Sequence, residues 1–162
     1  MSGREILVRV SDIQVGGPDD TLVTLGLGSC VAILLHDSEA RIGGLAHVLL
    51  PSPALSRTTG NPGKFPATAV PLLVQQMVAR GARRDGLTAR LVGGASMFTT
   101  LMPAGAVQMG ERNVVATREV LEKESIPIIA EEVGGGVGRS VRFVLADGAV
   151  TIRTVAQGER AI

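Results

Sequence analysis

Apolar positions in the first fifty residues fall in short runs rather than at helical spacing. Residues 5–10 read as one strand, ended near Gly16-Gly17-Pro18. Residues 21–27, rich in Leu, Val and Thr, read as a second, 30–35 as a third, and 41–50 as a fourth closed by Pro51. A polar break, Asp37-Ser38-Glu39-Ala40, separates the third from the fourth. These runs are apolar on both faces, the pattern of a sheet covered on both sides. Residues 51–64 hold three Pro, two Gly and several Ser and Thr and read as a loop. Loops of that length in a compact domain are often functional.

The period then changes. Val70, Leu73, Val74, Met77 and Val78 recur at i, i+3, i+4, i+7 and i+8, which predicts an amphipathic helix ending at Gly81, with Pro71 early in it. Residues 87–92 predict a strand, followed by the Gly-rich Gly93-Gly94-Ala95-Ser96-Met97-Phe98. Residues 112–124 predict a second helix with Val114, Thr117, Val120 and Leu121 inward, and 126–133 a further strand. After the turn Gly134-Gly135-Gly136-Val137-Gly138, residues 140–146 and 149–155 form a hairpin around Asp147-Gly148. The sum is about eight strands and two main helices, with no internal repeat and no domain boundary, so residues 1–162 are expected to form a single domain. Short turns join most strands. The expected fold class is therefore α/β, a layered sandwich of mostly antiparallel strands rather than a doubly wound sheet.

Composition narrows the function. A chain of 162 residues buries roughly 70% of its unfolded surface and needs no metal or disulfide staple. Hydrophobic residues make up 45%, too many for a disordered chain. Sixteen Lys and Arg against 15 Asp and Glu give +1, which excludes electrostatics as the main route to nucleic acid or an anionic membrane. Three Phe without Tyr or Trp cannot build a base-stacking platform. The longest uncharged stretch, 91–110, contains four Gly and one Pro and does not read as a membrane span. The N-terminus lacks the apolar stretch of a signal peptide, so a soluble cytoplasmic protein without membrane insertion is expected. One Cys and two His, with no pair at metal spacing, imply neither metal nor cofactor.

The single cysteine, Cys30, is the first chemical lead. If Ser38-Glu39 is a two-residue hairpin tip, paired positions have numbers summing to 77, and Cys30 faces His47. Directly opposed residues have Cβ atoms about 4.5–5.5 Å apart on one face, close enough for a thiol and an imidazole to exchange a proton. A slip of one residue would separate them. An adjacent imidazolium lowers a thiol's pKa, the thiolate attacks a carbonyl carbon, and the imidazolium protonates the departing amine. A third group must orient the imidazole, and Thr24 on the preceding strand offers a hydroxyl that can accept from a ring nitrogen. Gly26, Gly28 and Ser29 let the backbone turn so that amides face a developing oxyanion. The plainer reading stays open: a lone Cys in an apolar run is usually a small buried hydrophobe. His36 reads as solvated turn polarity, and Arg80, Arg83, Arg84 and Arg90 as a solvated face. The 134–138 glycines lack the Gly-Lys-Ser/Thr ending and following helix of a phosphate loop.

Thr24-Leu25-Gly26-Leu27-Gly28-Ser29-Cys30, followed by Gly44-Leu45-Ala46-His47-Val48-Leu49-Leu50-Pro51, resembles the CheD family of chemoreceptor glutamine deamidases. Pro62-Gly63-Lys64-Phe65, Gly93-Gly94-Ala95-Ser96-Met97-Phe98, Gly110-Glu111-Arg112-Asn113-Val114 and Gly134-Gly135 with Gly138-Arg139 resemble the family's later blocks in order and spacing. The resemblance covers nearly the whole chain. It implies a Cys nucleophile, a His general base and a Thr that positions the His, at Cys30, His47 and Thr24. It also implies an α/β sandwich similar to that of some toxin deamidases. The implied reaction is conversion of Gln to Glu on cytoplasmic helices of methyl-accepting chemotaxis receptors. A CheC-type phosphatase is implied as a second partner. Family members often carry Tyr and then Asp after the Lys, where this chain has Phe65 and Ala67, which puts the hydrogen bonding of that loop in doubt. Two other readings remain: an adaptor that binds receptor and phosphatase with little catalysis, and a cysteine amidase for a small molecule.

Overall fold

The computed structural model describes residues 3–58, 60–96 and 108–162. Ten strands form two five-stranded sheets. The outer sheet has the order β1 (Arg4–Leu7), β3 (Asp20–Leu27), β8 (Arg139–Val144), β9 (Ala149–Thr154), β10 (Gly158–Ala161). The central sheet has the order β2 (Ile13–Gly16), β5 (Ile42–Val48), β4 (Val31–Asp37), β6 (Leu87–Gly93), β7 (Ile128–Val133). Among the described residues, only β1–β3 and β6–β7 pair in parallel. Helices α1 (Pro66–Ala79) and α2 (Met109–Lys123) lie on the face of the central sheet away from the outer sheet. The layered α/β sandwich of mostly antiparallel strands is as the sequence implies.

Burial follows the layers. In β4 and β5 every residue is buried. Val31, Ile33, Leu35, Ala46 and Val48 meet Leu73, Met77, Val114 and Leu121 of the helices. Ala32, Leu34 and Leu45 face the other way, onto Leu22, Val141, Phe143 and Ile152 of the outer sheet. The expectation of cover on both faces holds for these two strands but not for 21–27. There Thr21, Val23 and Leu25 turn away from the sandwich, and Leu25 is 59% exposed. A sheet with only one covered face keeps alternation.

The chain departs from the expected elements at several points. Residues 5–10 do not run on as one strand. The backbone turns at Ser11, whose φ of 64° is left-handed, and the Asp12 carboxylate accepts from the Ile13 amide. The turn sends β1 to the outer sheet and β2 to the central one. The first helix begins at Pro66, and the second at Met109, three residues before the expected start. The edge strand β10 was not foreseen. Residues 51–64 form two short 3-10 turns, Pro53–Leu55 and Pro62–Lys64, and the Lys64 carbonyl accepts from Leu49 and Leu50. Phe65 is fully buried, and Lys64 Nζ ties the loop by donating to Ser56 Oγ (2.7 Å) and Thr58 Oγ1 (3.0 Å). His36 is no solvated turn residue. It is buried between the sheets, with Nε2 2.9 Å from the Leu145 carbonyl. Arg90 also leaves the solvated face, pairs across from Leu34 and donates to the Gly148 carbonyl at 2.8 Å.

The β4–β5 hairpin corrects the pairing expectation. Its tip is not Ser38-Glu39: Asp37 pairs with Ile42, leaving four residues in the loop, and Arg41 adopts φ 56°. The buried Asp37 carboxylate closes the tip by accepting from Glu39 N (3.0 Å), Ala40 N (3.2 Å) and, from beyond α1, Arg83 N (2.7 Å). Burial would push this carboxyl up, but the amide donors and Arg83 hold it below the ordinary carboxylate range. Asp37→Ala orphans three amides. It is expected to lower the unfolding free energy by about 3 kcal/mol, measured by urea denaturation at neutral pH. A loss below about 0.5 kcal/mol would show that water replaces the carboxylate at no cost.

Candidate active site

The hairpin register places His47 opposite Ala32, not Cys30. The expected sum of 77 becomes 79, since 32 plus 47 is 79. The shift is two residues, and side chains alternate with period two, so the face is preserved. Cys30 lies just before β4 and packs against the cluster between the sheets, the face on which His47 lies. The two are diagonal neighbours rather than directly opposed. In a regular ladder such residues are about 7–8 Å apart.

Thr24 comes from the other sheet. It is fully buried on the inner face of β3, and its Oγ1 lies 2.7 Å from His47 Nδ1 and 2.6 Å from the Val8 carbonyl oxygen. A hydroxyl has one hydrogen, and the carbonyl can only accept, so that hydrogen goes to Val8. Thr24 must therefore accept from His47, which fixes the proton on Nδ1 and leaves a lone pair on Nε2. That Nε2 is buried and has no hydrogen-bond partner among the described residues. His47 is otherwise clamped by its backbone: its carbonyl accepts from Ser11 N at 2.7 Å, and its amide donates to Asp12 O at 3.1 Å. Burial drops the imidazole from the ordinary 6.5 to about 4. Burial also pushes the half-buried Cys30 thiol up. Both shifts favour the uncharged forms, thiol and imidazole.

The turn that delivers Cys30 has clear causes. After Thr24 the β3–β8 pairing slips by one residue, a bulge with Gly26 at φ 66° and its amide donating to Ser140 Oγ. The bulge carries 28–30 from the outer sheet to the central one. There the Gly-rich segment after β6 grips it: Gly94 N donates to Cys30 O and Ala95 N to Gly28 O, both at 2.8 Å. A Cβ on Gly93 would sit 2.3 Å from Cys30 O, so only glycine fits that approach. Arg139 braces the grip. Its side chain is buried, donates to the Gly93 and Gly134 carbonyls, and pairs with Glu132 at 3.2 Å. The close-packing reading of Gly93-Gly94 thus holds, while Met97 and Phe98 of the same block lie outside the described residues.

The structure therefore brings Thr24 and His47 into contact and places Cys30 on the same face of the central sheet, two positions along the ladder from the residue opposite His47. Sequence reasoning missed Val8, Arg139 and Asn113. Val8 acts through its carbonyl, for which side-chain identity gives no signal. Arg139 and Asn113 stood in the motif blocks without a role. Among the described residues, no group of three His, Cys, Asp or Glu side chains could hold a metal ion, and no helix is long and apolar enough to cross a membrane.

Comparison with known proteins adds the family. A family model described as CheD chemotactic sensory transduction matches residues 49–154. A "Probable chemoreceptor glutamine deamidase CheD" of Clostridium novyi (strain NT) is 43% identical over 162 residues, all of both chains. A relative of that same name from Clostridium botulinum (strain Hall) is 42% identical, again over the whole of both. A solved Neisseria meningitidis protein of the DUF152 family model shares the fold, with TM-score 0.53 at 11% identity, covering 84% of this chain and 65% of that one. Full-length relatives at this identity and a family model that matches more than half of the chain leave one assignment: the chain belongs to the CheD family.

Proposed function

We propose that this protein is a chemoreceptor glutamine deamidase working through Cys30, His47 and Thr24. The observation that carries the reading is the bond donated by His47 Nδ1 to Thr24 Oγ1, which leaves His47 Nε2 as a buried base, unpartnered among the described residues, on the face where the chain's single cysteine lies. The full-length relatives, probable chemoreceptor glutamine deamidases, support the substrate.

His47 Nε2 takes the Sγ proton as sulfur attacks the glutamine side-chain carbonyl carbon. General-base activation suits a thiol that burial keeps protonated. The resulting oxyanion is held by backbone amides: those of Ser29 and Cys30 donate to no backbone carbonyl outside the strand ladders among the described residues, and the Cys30 amide faces its own sulfur. The imidazolium returns its proton to the nitrogen, ammonia leaves, and a thioester remains. His47 then draws a proton from water, which attacks the thioester and releases glutamate and the free thiol. The net change is carboxamide plus water to carboxylic acid plus ammonia. A carboxamide projects from a receptor helix and can enter a narrow site, whereas a helical peptide bond cannot, so deamidation is expected and proteolysis is not. The partners are the cytoplasmic helices of methyl-accepting receptors, with a CheC-type phosphatase as a second, and the setting is the cytoplasm.

The test is peptide mass spectrometry of a cognate receptor cytoplasmic fragment incubated with the protein. Gln-to-Glu conversion at a few sites, with the peptide backbone intact, is the expected result. No conversion above the protein-free control would sink the reading and leave the adaptor role. Turnover of free glutamine without conversion of receptor would favour a small-molecule amidase instead.

A further inference from the structure

Asn113 lies on α2, fully buried, on the side of the central sheet away from Thr24. Its Nδ2 donates to two carbonyls: Ser29 O at 2.8 Å and Leu49 O at 3.1 Å. The assignment of the amide is forced, because only an NH2 group can serve two carbonyl oxygens at once. Oδ1 is buried with no partner among the described residues. A buried amide that leaves its oxygen unpartnered is costly, so the two donated bonds must repay it structurally or functionally.

We infer that Asn113 is a positioning residue that sets the oxyanion hole. The inference rests on the deamidase reading above. The Ser29 carbonyl belongs to the peptide unit whose nitrogen is Cys30 N. That unit is planar and trans, so its C=O and N–H point in opposite directions. Holding the carbonyl against α2 aims the Cys30 amide away from α2, toward the side where Thr24 and His47 lie. The bond also polarises the peptide and makes its N–H a stronger donor. The neighbouring carbonyls are held as well, Gly28 O by Ala95 N and Cys30 O by Gly94 N, so all three carbonyls of 28–30 are occupied. Among the described residues the amides of Ser29 and Cys30 donate to no other backbone carbonyl outside the strand ladders, and the Cys30 amide lies against the attacking sulfur, where an oxyanion would develop. The second Asn113 bond ties Leu49, two residues past His47, to the same side chain. One amide group thereby fixes the nucleophile's loop relative to the base's strand.

The test pairs Asn113→Ala with Asn113→Leu, which removes the donors but fills the space. Each is checked for a wild-type-like melt, and assayed beside wild type on a receptor cytoplasmic fragment. Both should lower kcat by about 10²-fold with KM changed by no more than about threefold. Alkylation of Cys30 by iodoacetamide, a displacement at saturated carbon that develops no oxyanion, should stay within about twofold of wild type across pH. A merely structural role would slow alkylation and turnover together, and that result overturns the inference. So would kcat within about threefold of wild type, or loss of the fold in both variants, which would mark Asn113 as a stability residue. Failure of the wild type itself to convert glutamine overturns the deamidase reading and this one with it, whereas active wild type beside equally active variants overturns this one alone.

Discussion

Replacing Cys30 with Ala will abolish Gln-to-Glu conversion of a receptor fragment, and His47→Gln will lower kcat by about 10³-fold. The second figure is large because of the state of the thiol. Where an imidazolium stabilises a standing thiolate, a mutant lacking the base retains some nucleophile. Here burial pushes the Cys30 thiol up, and the neutral imidazole gives it no charge to lean on. Without His47 the proton has no acceptor at the moment of attack. Because the two residues act in one step, the double variant should be no worse than Cys30→Ala alone. The measurement is turnover by mass spectrometry, with iodoacetamide labelling at pH 7 as a second readout. Labelling of wild-type Cys30 should be slower than that of an exposed cysteine, and His47→Gln should leave it slow. Rapid labelling of the wild type would point to a standing thiolate and overturn the neutral-pair account.

Thr24 extends the same argument. Its hydroxyl hydrogen is committed to Val8 O, so it holds His47 in the tautomer with a free Nε2. Thr24→Val leaves Nδ1–H unpartnered in a buried place and favours the other tautomer, whose Nε2 cannot accept a proton. A loss of about 10²-fold in kcat is expected, less than when a charged orienting group is lost. Thr24→Ser keeps the hydroxyl and should restore most of the activity.

The parts of the fold and site that were legible in the sequence have local causes. The apolar runs of β4 and β5, the i, i+3, i+4 pattern of α1 and the Asp147-Gly148 hairpin each declare themselves over a few residues. Cys30 and His47 could be put on one face because an even-numbered error in register preserves the face. The register itself was not legible. It depends on Asp37 capping its own loop and on the Arg83 amide, 46 residues later. The break between β1 and β2 rests on a left-handed Ser11, a residue type that gives little warning of it. Strand β10, Gly158-Glu159-Arg160-Ala161, has no apolar alternation and is held at a sheet edge by pairing with β9. The start of α2 was hidden because Gln108 makes no side-chain cap and Gly110 reads as loop. The neutral state of His47 is the deepest case. It follows from burial between two sheets, which no local pattern encodes.

That neutral state gives the protein an acid response of definite sign. The folded imidazole titrates at about 4, below its ordinary 6.5, so between these values the unfolded chain binds a proton that the folded chain does not. Stability from this group is complete above pH 6.5 and is lost progressively as the pH falls toward 4, with nothing further lost below. At about 1.4 kcal/mol for each tenfold in proton affinity, the loss amounts to about 3 kcal/mol. Asp20 and Asp37, both held below the ordinary carboxylate range, add losses of the same sign, but only as the pH falls below about 4. Glu131, held below 4.5 by Arg118, adds a loss of the same sign at the acid end, so among these shifted groups the upper part of the window, from 6.5 to about 5, belongs to His47. Urea denaturation at pH 7 and pH 4.5 should show the fall in wild type and a much flatter response in His47→Gln. The same displacement governs catalysis. The base must be unprotonated in the free enzyme, so kcat/KM should hold nearly level from pH 8 down to about 5 and fall with an apparent pKa near 4. An ordinary surface histidine would cut activity below pH 6.5, and an acid limb there, with a pH-independent stability, would show that His47 is solvated in solution.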